Sequence, residues 1–490
     1  MNLLLIDLGY DCEEINEPLG IEVLSAYINS KMENYKVSIY DKNFETMEYD
    51  MLLNQTNPDI IGISTHINTW NRLFEIVSIY HVYCEQMSKK PIIIVGGILA
   101  TYEYSNIITS FCDTICIVGE GEETFIKLLY QYSKEDDYRS FVNKIYNLHI
   151  ENLAYIHEER VIITPRLPSK INKFEYPLPE HQYLKNTVLA NGIARMEASR
   201  GCPWNCCSFC VLDWKYAGNK WMPFSVDKVV TEIIMLAHMG AKTIYFTDEE
   251  YLGGDYSRIY NIADKIIQLK KQSIINSKVE FVISTSTRAL LGKYKIPQTK
   301  IKPLLLFMKE AGFRSFFLGI ESGSNTQLLR FRKGSTVQEH EKAISLLRDC
   351  EIEMDIGYIL FDPLMTLSEL RESLEFLKRN GLHDHISRFA KRLRIVPHTQ
   401  YRKYTNIQLQ EYNSNMVEYS YKFNDPNIQF IYDEYSRWEK NHLHETHLIQ
   451  AEIRAAVSSD DRCKKMQYLQ KLRSQEYEKL WSLVVEAYNQ

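Results

Sequence analysis

Several things are scarce in this chain of 490 residues. A basic surplus is missing: 57 Lys and Arg against 63 Asp and Glu leave a formal net charge of −6, so the footprint of a nucleic-acid binder is absent and no nucleic-acid partner is expected. Long apolar runs are missing too. No stretch approaches the ~18 residues that span a bilayer, and the opening MNLLLIDLGYD is short, lacks a basic lead-in and meets the acidic DCEEINEP. It reads as a buried strand rather than a signal peptide, which predicts a soluble, cytoplasmic protein with no membrane partner. Cysteine is sparse, ten in all, and in a reducing compartment the scattered Cys12, Cys84, Cys112, Cys116, Cys350 and Cys463 read as small buried hydrophobes. With 45% hydrophobic and 24% charged residues, nothing argues for disorder.

What is present is a rhythm of strands and helices. NLLLIDLG, KVSIYD, PDIIGIST, PIIIVGG and TICIVGEG alternate with amphipathic stretches up to about residue 130, the pattern of a parallel sheet covered on both faces. Such sheets bind ligands beyond the carboxyl ends of their strands. There lie Gly9, the run Ser64-Thr65-His66, Gly96-Gly97 and Gly119-Glu120-Gly121; none forms the Gly-x-Gly-x-x-Gly fingerprint, and tight turns without a ligand would explain them as well. Residues 151–191 are weakly patterned, and PRLPSKINKFEYPLPEHQ reads as a connecting strap. From 192 to 404 a second series runs, with strands in IARMEASRG, KTIYFTDEE, EFVISTSTR, FRSFFLGIESG, EMDIGYILFDP and HISRFAKRLRIVP. Six strands so spaced suit an open or partial βα barrel, whose chemistry gathers at the carboxyl-end rim. The tail, 405–490, reads as helical, aromatic and charged.

SRGCPWNCCSFC, residues 199–210, puts four of the ten cysteines into nine positions directly after the first barrel strand. Zinc, an iron–sulfur cluster and no metal compete as explanations. Structural zinc wants four ligands, commonly from two separated pairs, and no second pair follows. A cubane iron–sulfur cluster held by three thiolates leaves one iron open to an exogenous ligand. Two triples are available: Cys202, Cys207, Cys210 or Cys202, Cys206, Cys210.

The loop resembles that of the radical S-adenosylmethionine (radical SAM) superfamily, usually CxxxCxxC with an aromatic before the last cysteine, here Phe209. One residue is inserted, and CPWNCCSFC is similar to the CPWGxCxFC form of members that carry a cobalamin domain, with Cys206 at the variable position. On that resemblance Cys202, Cys207 and Cys210 are the expected [4Fe-4S] ligands. TDEEYLGG resembles the second-strand motif that meets the amino group of S-adenosylmethionine, through Glu249 or Glu250. STSTRAL resembles the third-strand end, with Arg288 facing the methionine carboxylate, and FFLGIESG the fourth, where Glu321 and Ser322 would approach the methionine or ribose. Taken singly each residue has a bland explanation, such as a salt bridge or a helix start; their order along the strand ends carries the reading. Two turns depart from the family pattern: Pro363-Leu364 and Pro397-His398-Thr399 stand where Pro-Gly and Pro-Gly-Thr are usual.

The first series in turn resembles the cobalamin-binding domain that precedes many of these enzymes, with its glycine and Glu/Thr positions matched at Gly96, Gly97, Gly119, Glu120, Gly121, Glu122 and Thr124. An Asp-x-His-x-x-Gly motif is absent, which implies cobalamin without a lower histidine ligand; His66 is expected to hydrogen-bond rather than to ligate cobalt. The expected architecture is therefore α/β: a Rossmann-like cobalamin-binding domain over 1–150, the strap, a partial (βα)6 radical SAM barrel over 192–404 and a helical C-terminal extension. The resemblance implies [4Fe-4S], S-adenosylmethionine and cobalamin as cofactors, an electron donor such as flavodoxin or ferredoxin, and methyl transfer to an unactivated carbon (secondarily phosphorus) of a small-molecule or peptide natural product. A non-methylating radical reaction with the same cofactors, and a cobalamin- or metal-sensing protein without turnover, are the alternatives. His442, His444 and His447 in the tail read as a solvated polar face, and the aromatic tail as a cover for the barrel mouth.

Overall fold

Parallel strands buried on both faces must be apolar throughout, and those of the first half are. In the computed structural model β1 (Asn2–Asp7), β3 (Ile60–Thr65), β4 (Ile92–Gly96) and β5 (Thr114–Ile117) are buried along nearly their whole length, and β2 (Lys36–Asp41) forms the edge. β6 (Leu153–His157) and β7 (Arg160–Ile163) complete a seven-stranded sheet of order β2-β1-β3-β4-β5-β6-β7. β1 to β5 pair in parallel and β6 and β7 antiparallel. The order reverses between β1 and β3, which makes the crevice at their carboxyl ends the switch point where doubly wound sheets take ligands. The described residues are all except 10–15, 86–89, 171–175, 191, 384, 387–388, 405, 443–444, 447, 450–451, 454–458 and 490; Cys12, His444 and His447 fall outside them.

The chain divides into two units. One comprises Met1–Arg195, Val211–Gly240 and Asn413–Glu418; the other Met196–Cys210, Ala241–Tyr412 and Tyr419–Gln490. After β8 (Ala194–Met196), β9 (Ser199–Gly201) and β10 (Trp221–Pro223), the second sheet is built from β11 (Thr243–Phe246), β12 (Glu280–Ser286), β13 (Phe313–Glu321) and β14 (Glu353–Tyr358), in the order β14-β13-β12-β11-β8. β11 through β14 pair in parallel. β12 is buried only at alternate positions: Phe281, Ile283 and Thr285 are covered, whereas Ser284 and Ser286 stand on a half-open polar face.

Three segments differ from the sequence expectation. Residues 153–163, placed in the strap, form the hairpin β6–β7, whose turn residues Glu158 and Glu159 have φ of 47° and 63°. That is the left-handed pair of a type I′ turn, made here by two glutamates instead of the Asn-Gly that announces it. The tail is not wholly helical: β15 (Leu409–Asn413) and β16 (Glu418–Tyr421) pair as a hairpin before the helices Pro426–Lys440 and Ser459–Asn489. The sixth barrel segment, HISRFAKRLRIVP, joins by single bridges, Phe361 to Arg392 in parallel and Ile395 to Tyr419 antiparallel, and not by a continuous ladder among the described residues. Lys391, Arg392 and Arg394 interrupt the apolar pattern that a buried central strand needs. Among the described residues no helix is long and apolar enough to cross a membrane.

Candidate active site

The cysteine loop leaves β9 at Gly201, whose amide donates to Glu249 Oε2 at 2.8 Å. Its middle is pinned at Ser208. The Ser208 amide donates to Phe331 O at 2.8 Å, its hydroxyl to Arg330 O at 2.9 Å, and its carbonyl accepts from the Tyr401 amide at 2.7 Å. Trp204 Nε1 donates to Arg332 O at 2.9 Å, and the Phe209 ring meets Phe331 edge-on at 5.2 Å. Cys202, Cys207 and Cys210 are half-buried along this loop, and Cys206 is exposed.

Electrostatics ties three thiols together. Burial pushes the Cys207 thiol up to about 12, with Lys333 opposing the rise and Cys210, Glu321 and Cys202 adding to it. Cys202 is likewise raised by burial and then by Glu250. A buried thiol surrendered to a metal must lose its proton, and Lys333, held cationic against burial by Glu321 and the thiols, is the charge that favours that loss. The donor set therefore fits a cluster held by three thiolates.

Each strand end around the loop carries one of the expected residues. Glu250, at the end of β11, is fully buried and raised by burial; it accepts from Thr285 Oγ1 at 2.7 Å and from the Ser286 amide and hydroxyl at 3.0 and 2.6 Å. It stitches β11 to β12, while its half-exposed neighbour Glu249 faces the loop. Arg288, after β12, lays its guanidinium 3.7 Å over the Trp204 ring and donates to Gly334 O. Among the described residues its buried Nε has no hydrogen-bond partner, as suits a fork that receives a carboxylate. Glu321 ends β13 at φ 70°, a left-handed conformation that costs about 1–3 kcal/mol and persists where the surroundings enforce it. Its Oε1 accepts from Lys333 Nζ at 3.0 Å. Ser322, by contrast, is wholly buried and its hydroxyl is spent on Gln327 Oε1 at 2.5 Å, which leaves its backbone as the part facing the turn.

Sequence reasoning passed over Lys333 and the network behind the loop. Asp362 accepts from Gln327 Nε2 at 2.7 Å, Arg330 Nη2 at 2.8 Å and Tyr401 Oη at 2.5 Å, and Arg330 also pairs with Glu369 at 2.9 Å. The signal was there in RFRKGST and in Asp362 before Pro363, as charges inside blocks that otherwise alternate apolar and small. The departures in turn pattern now have an explanation. Leu364 keeps negative φ, its amide donating to Asp362 Oδ1 at 2.9 Å; His398 adopts φ 67°, the conformation a glycine would take freely.

In the other unit, the residues at the strand ends divide into two sets. Gly97 (φ 92°) is explained by the protein itself: a Cβ there would lie 2.3 Å from Thr65 O. Thr65 is buried, donating to Gly96 O at 2.7 Å and accepting from the Ala100 amide at 3.1 Å. Gly119 (φ 95°) faces the Arg166 guanidinium and Lys215 O. Glu122 is buried and accepts from Tyr176 Oη; Thr124 is buried in the same helix, Glu122–Gln131, which Gly121 starts. Gly96 differs, since among the described residues a Cβ there would meet nothing within 4 Å, the open approach a flat ligand needs. Beside it Ser64 is half-exposed. Glu120, in the turn after β5, is half-exposed too. His66 Nε2 is bonded to the Asp7 carboxylate at 2.8 and 3.0 Å, and Gly9 donates its amide to Asp7 Oδ1 at 2.8 Å. His66 is thus a hydrogen-bond partner at the switch point, with one ring nitrogen committed to Asp7. In the tail, His442 stacks on Trp438 at 4.0 Å and binds its carbonyl at 2.8 Å.

Comparison with known proteins resolves the family. The radical SAM superfamily model matches residues 196–377 and the B12 binding domain model residues 6–129. The chain is a radical SAM protein with a B12-binding domain. Its fold and cofactor set follow: a [4Fe-4S] cluster and S-adenosylmethionine on one domain, cobalamin on the other. The chain is 27% identical over 398 residues to 4'-phospho-dehydrooxetanocin synthase of Priestia megaterium, covering 77% of this chain and 50% of that protein. It spans half the length of that relative. An uncharacterized methyltransferase of Pyrococcus horikoshii is 24% identical over 74% of this chain and 73% of its own. Among solved structures, the cobalamin-dependent S-adenosylmethionine radical enzyme OxsB with aqua-cobalamin and S-adenosylmethionine bound superposes with TM-score 0.85 at 21% identity, over 97% of this chain and 71% of that one. The radical SAM methyltransferase TsrM of Kitasatospora setae, with cobalamin and a [4Fe-4S] cluster bound, superposes with TM-score 0.60 at 16% identity, over 78% and 73%.

Proposed function

We propose that the protein is a cobalamin-dependent radical SAM enzyme that transfers a methyl group to an unactivated carbon of a small-molecule or peptide natural product, within the cytoplasm and with a flavodoxin- or ferredoxin-like electron donor. The observation that carries this is the gathering of Cys202, Cys207 and Cys210 with the Lys333–Glu321 pair in a chain that also has a B12-binding domain. When bound, the cluster with S-adenosylmethionine supplies a carbon radical and cobalamin a transferable methyl group. The chain's own residues do the rest. Cys202, Cys207 and Cys210 would hold the cluster; Glu249 would offer a carboxylate to the amino group of S-adenosylmethionine and Arg288, stacked on Trp204, a guanidinium to its carboxylate; Glu321 holds Lys333 beside the thiols. Gly96, Ser64 and Glu120 offer the open surface for the corrinoid.

A second reading, a radical rearrangement or oxidation without methyl transfer, is favoured by the similarity to a synthase acting in dehydrooxetanocin phosphate formation. Anaerobic protein loaded with cluster and cobalamin, given reductant, methyl-deuterated S-adenosylmethionine and a candidate substrate, separates the two. Formation of 5′-deoxyadenosine is expected in either case, and its absence overturns the enzyme reading in favour of a sensor. Deuterated methyl in the product supports transfer; product without label supports rearrangement.

A further inference from the structure

The unit that carries the seven-stranded sheet also holds a cluster made of none of the residues named above. Glu17, just ahead of the helix Leu19–Lys31, Glu22 in that helix's first turn, and His181, just ahead of the helix Leu184–Leu189, bring one donor atom each to within 4.8 Å of one another. All three side chains are 0% exposed. His181 Nδ1 stands 3.0 Å from Glu17 Oε2 and 3.9 Å from Glu22 Oε2. These bracket the ~3.0–3.5 Å edge between ligands bonded at about 2.0–2.2 Å to one ion. Two further features point to a ligand. Among the described residues no hydrogen-bond donor reaches Glu22 Oε2, an oxygen sealed from water with His181 Nδ1 at 3.9 Å, and leaving it so is expensive. Behind the ring, His181 Nε2 lies 3.4 Å from Glu232 Oε1, and Glu232 is itself held by Lys228 at 2.7 Å. A histidine whose second nitrogen faces a fixed carboxylate is the supporting arrangement of metal-bound imidazoles, setting the tautomer that leaves the other nitrogen for the ion. His181 is also held at φ 50°, where a non-glycine residue stays only if its surroundings require it.

We propose that Glu17, Glu22 and His181 form a structural site for a first-row divalent cation, separate from the iron–sulfur cluster and cobalamin. Two carboxylate oxygens and one imidazole nitrogen suit Mn2+, Fe2+ or Zn2+; the nitrogen argues against Ca2+ and Mg2+, which take oxygen, and the lack of thiolate against a soft ion. The ion neutralises the two carboxylates and ties the start of the first long helix to a segment more than 150 residues away in the chain.

The test uses cluster- and cobalamin-loaded protein reconstituted with MnCl2 present, and electron paramagnetic resonance of unbound aqueous Mn2+. About one Mn2+ per chain is expected to bind, to be displaced by Zn2+ as the order of metal affinities requires, and to bind at least tenfold more weakly in Glu22→Gln, with Glu17→Gln as a second variant should the first not fold. No binding by the unaltered protein at millimolar Mn2+, or equal binding by both folded variants, overturns the proposal and leaves a buried ion-pair cluster in its place.

Discussion

Lys333 Nζ lies 3.0 Å from Glu321 Oε1, with the ammonium 9% and the carboxylate 15% exposed. The pair sits beside Cys202 and Cys207, and Glu321 first, joined by those thiols once deprotonated, holds Lys333 cationic against burial. Lys333→Met removes the cation that opposes the rise of the Cys207 thiol and strands Glu321, and breaking so covered a pair costs about 3 kcal/mol or more. Iron bound per chain after anaerobic reconstitution should fall by at least half, and Lys333→Arg, which restores charge without shape, should recover part of it. Full cluster loading in Lys333→Met would show that the ammonium serves the fold alone.

Cys206 and Cys207 are neighbours with different surroundings, one exposed and one in electrostatic contact with Cys202 and Cys210. Cys206→Ser should therefore retain the visible absorption and iron content of the cluster, whereas Cys207→Ser should lose both together with formation of 5′-deoxyadenosine. The reverse pattern would assign the ligand to Cys206.

Much of this arrangement could be read from the chain because its signals are local. Runs such as IIIVG and TICI can only be covered strands, and the crowding of thiols after SRG is visible without any structure. The β6–β7 hairpin was hidden because Glu158 and Glu159 adopt a left-handed turn that their residue type does not advertise. The Asp362–Arg330–Tyr401 network was hidden for another reason: its members are 32 and 39 residues apart, and no periodicity links them. Ser322 shows the converse, a residue well placed in sequence whose hydroxyl turns inward to Gln327.

Tyr401 touches the cysteine loop through its amide, on Ser208 O, and the Asp362 network through its hydroxyl. Tyr401→Phe keeps the packing and removes one donor from a buried carboxylate still held by Arg330 and Gln327, a loss of about 1–3 kcal/mol. The melting temperature should fall by several degrees, and the rate of S-adenosylmethionine cleavage should fall with it while the iron content stays near that of the parent. Unchanged melting would mean that Asp362 is fully satisfied without the phenol.

His340 is buried, its Nδ1 2.7 Å from Thr287 Oγ1, and burial, then Lys333 and Lys293, lower it to about 3. The folded protein therefore holds His340 neutral where the unfolded chain would be protonated. Stability from this group is complete above about pH 6.5 and is lost as pH falls toward 3, at roughly 1.4 kcal/mol per pH unit. His340→Gln, which cannot titrate, should be the less stable protein at pH 7.5 and should overtake or match the parent by pH 5 in thermal unfolding. Parallel melting curves from pH 7.5 to 5 would contradict a neutral buried imidazole.

His398 occupies the turn after Pro397 at φ 67°. A side chain there costs about 1–2 kcal/mol relative to a residue without Cβ, and a glycine loses part of that gain to the freedom of the unfolded chain. His398→Gly should therefore stabilise the protein by about 0.5–1 kcal/mol, read as a rise in melting temperature of one to a few degrees, unless the imidazole has work that outweighs the strain. Activity discriminates the two: a variant that melts higher with unchanged turnover identifies His398 as a tolerated departure at a turn, whereas one that melts higher and turns over more slowly identifies a side chain kept in a strained position because substrate or cofactor needs it.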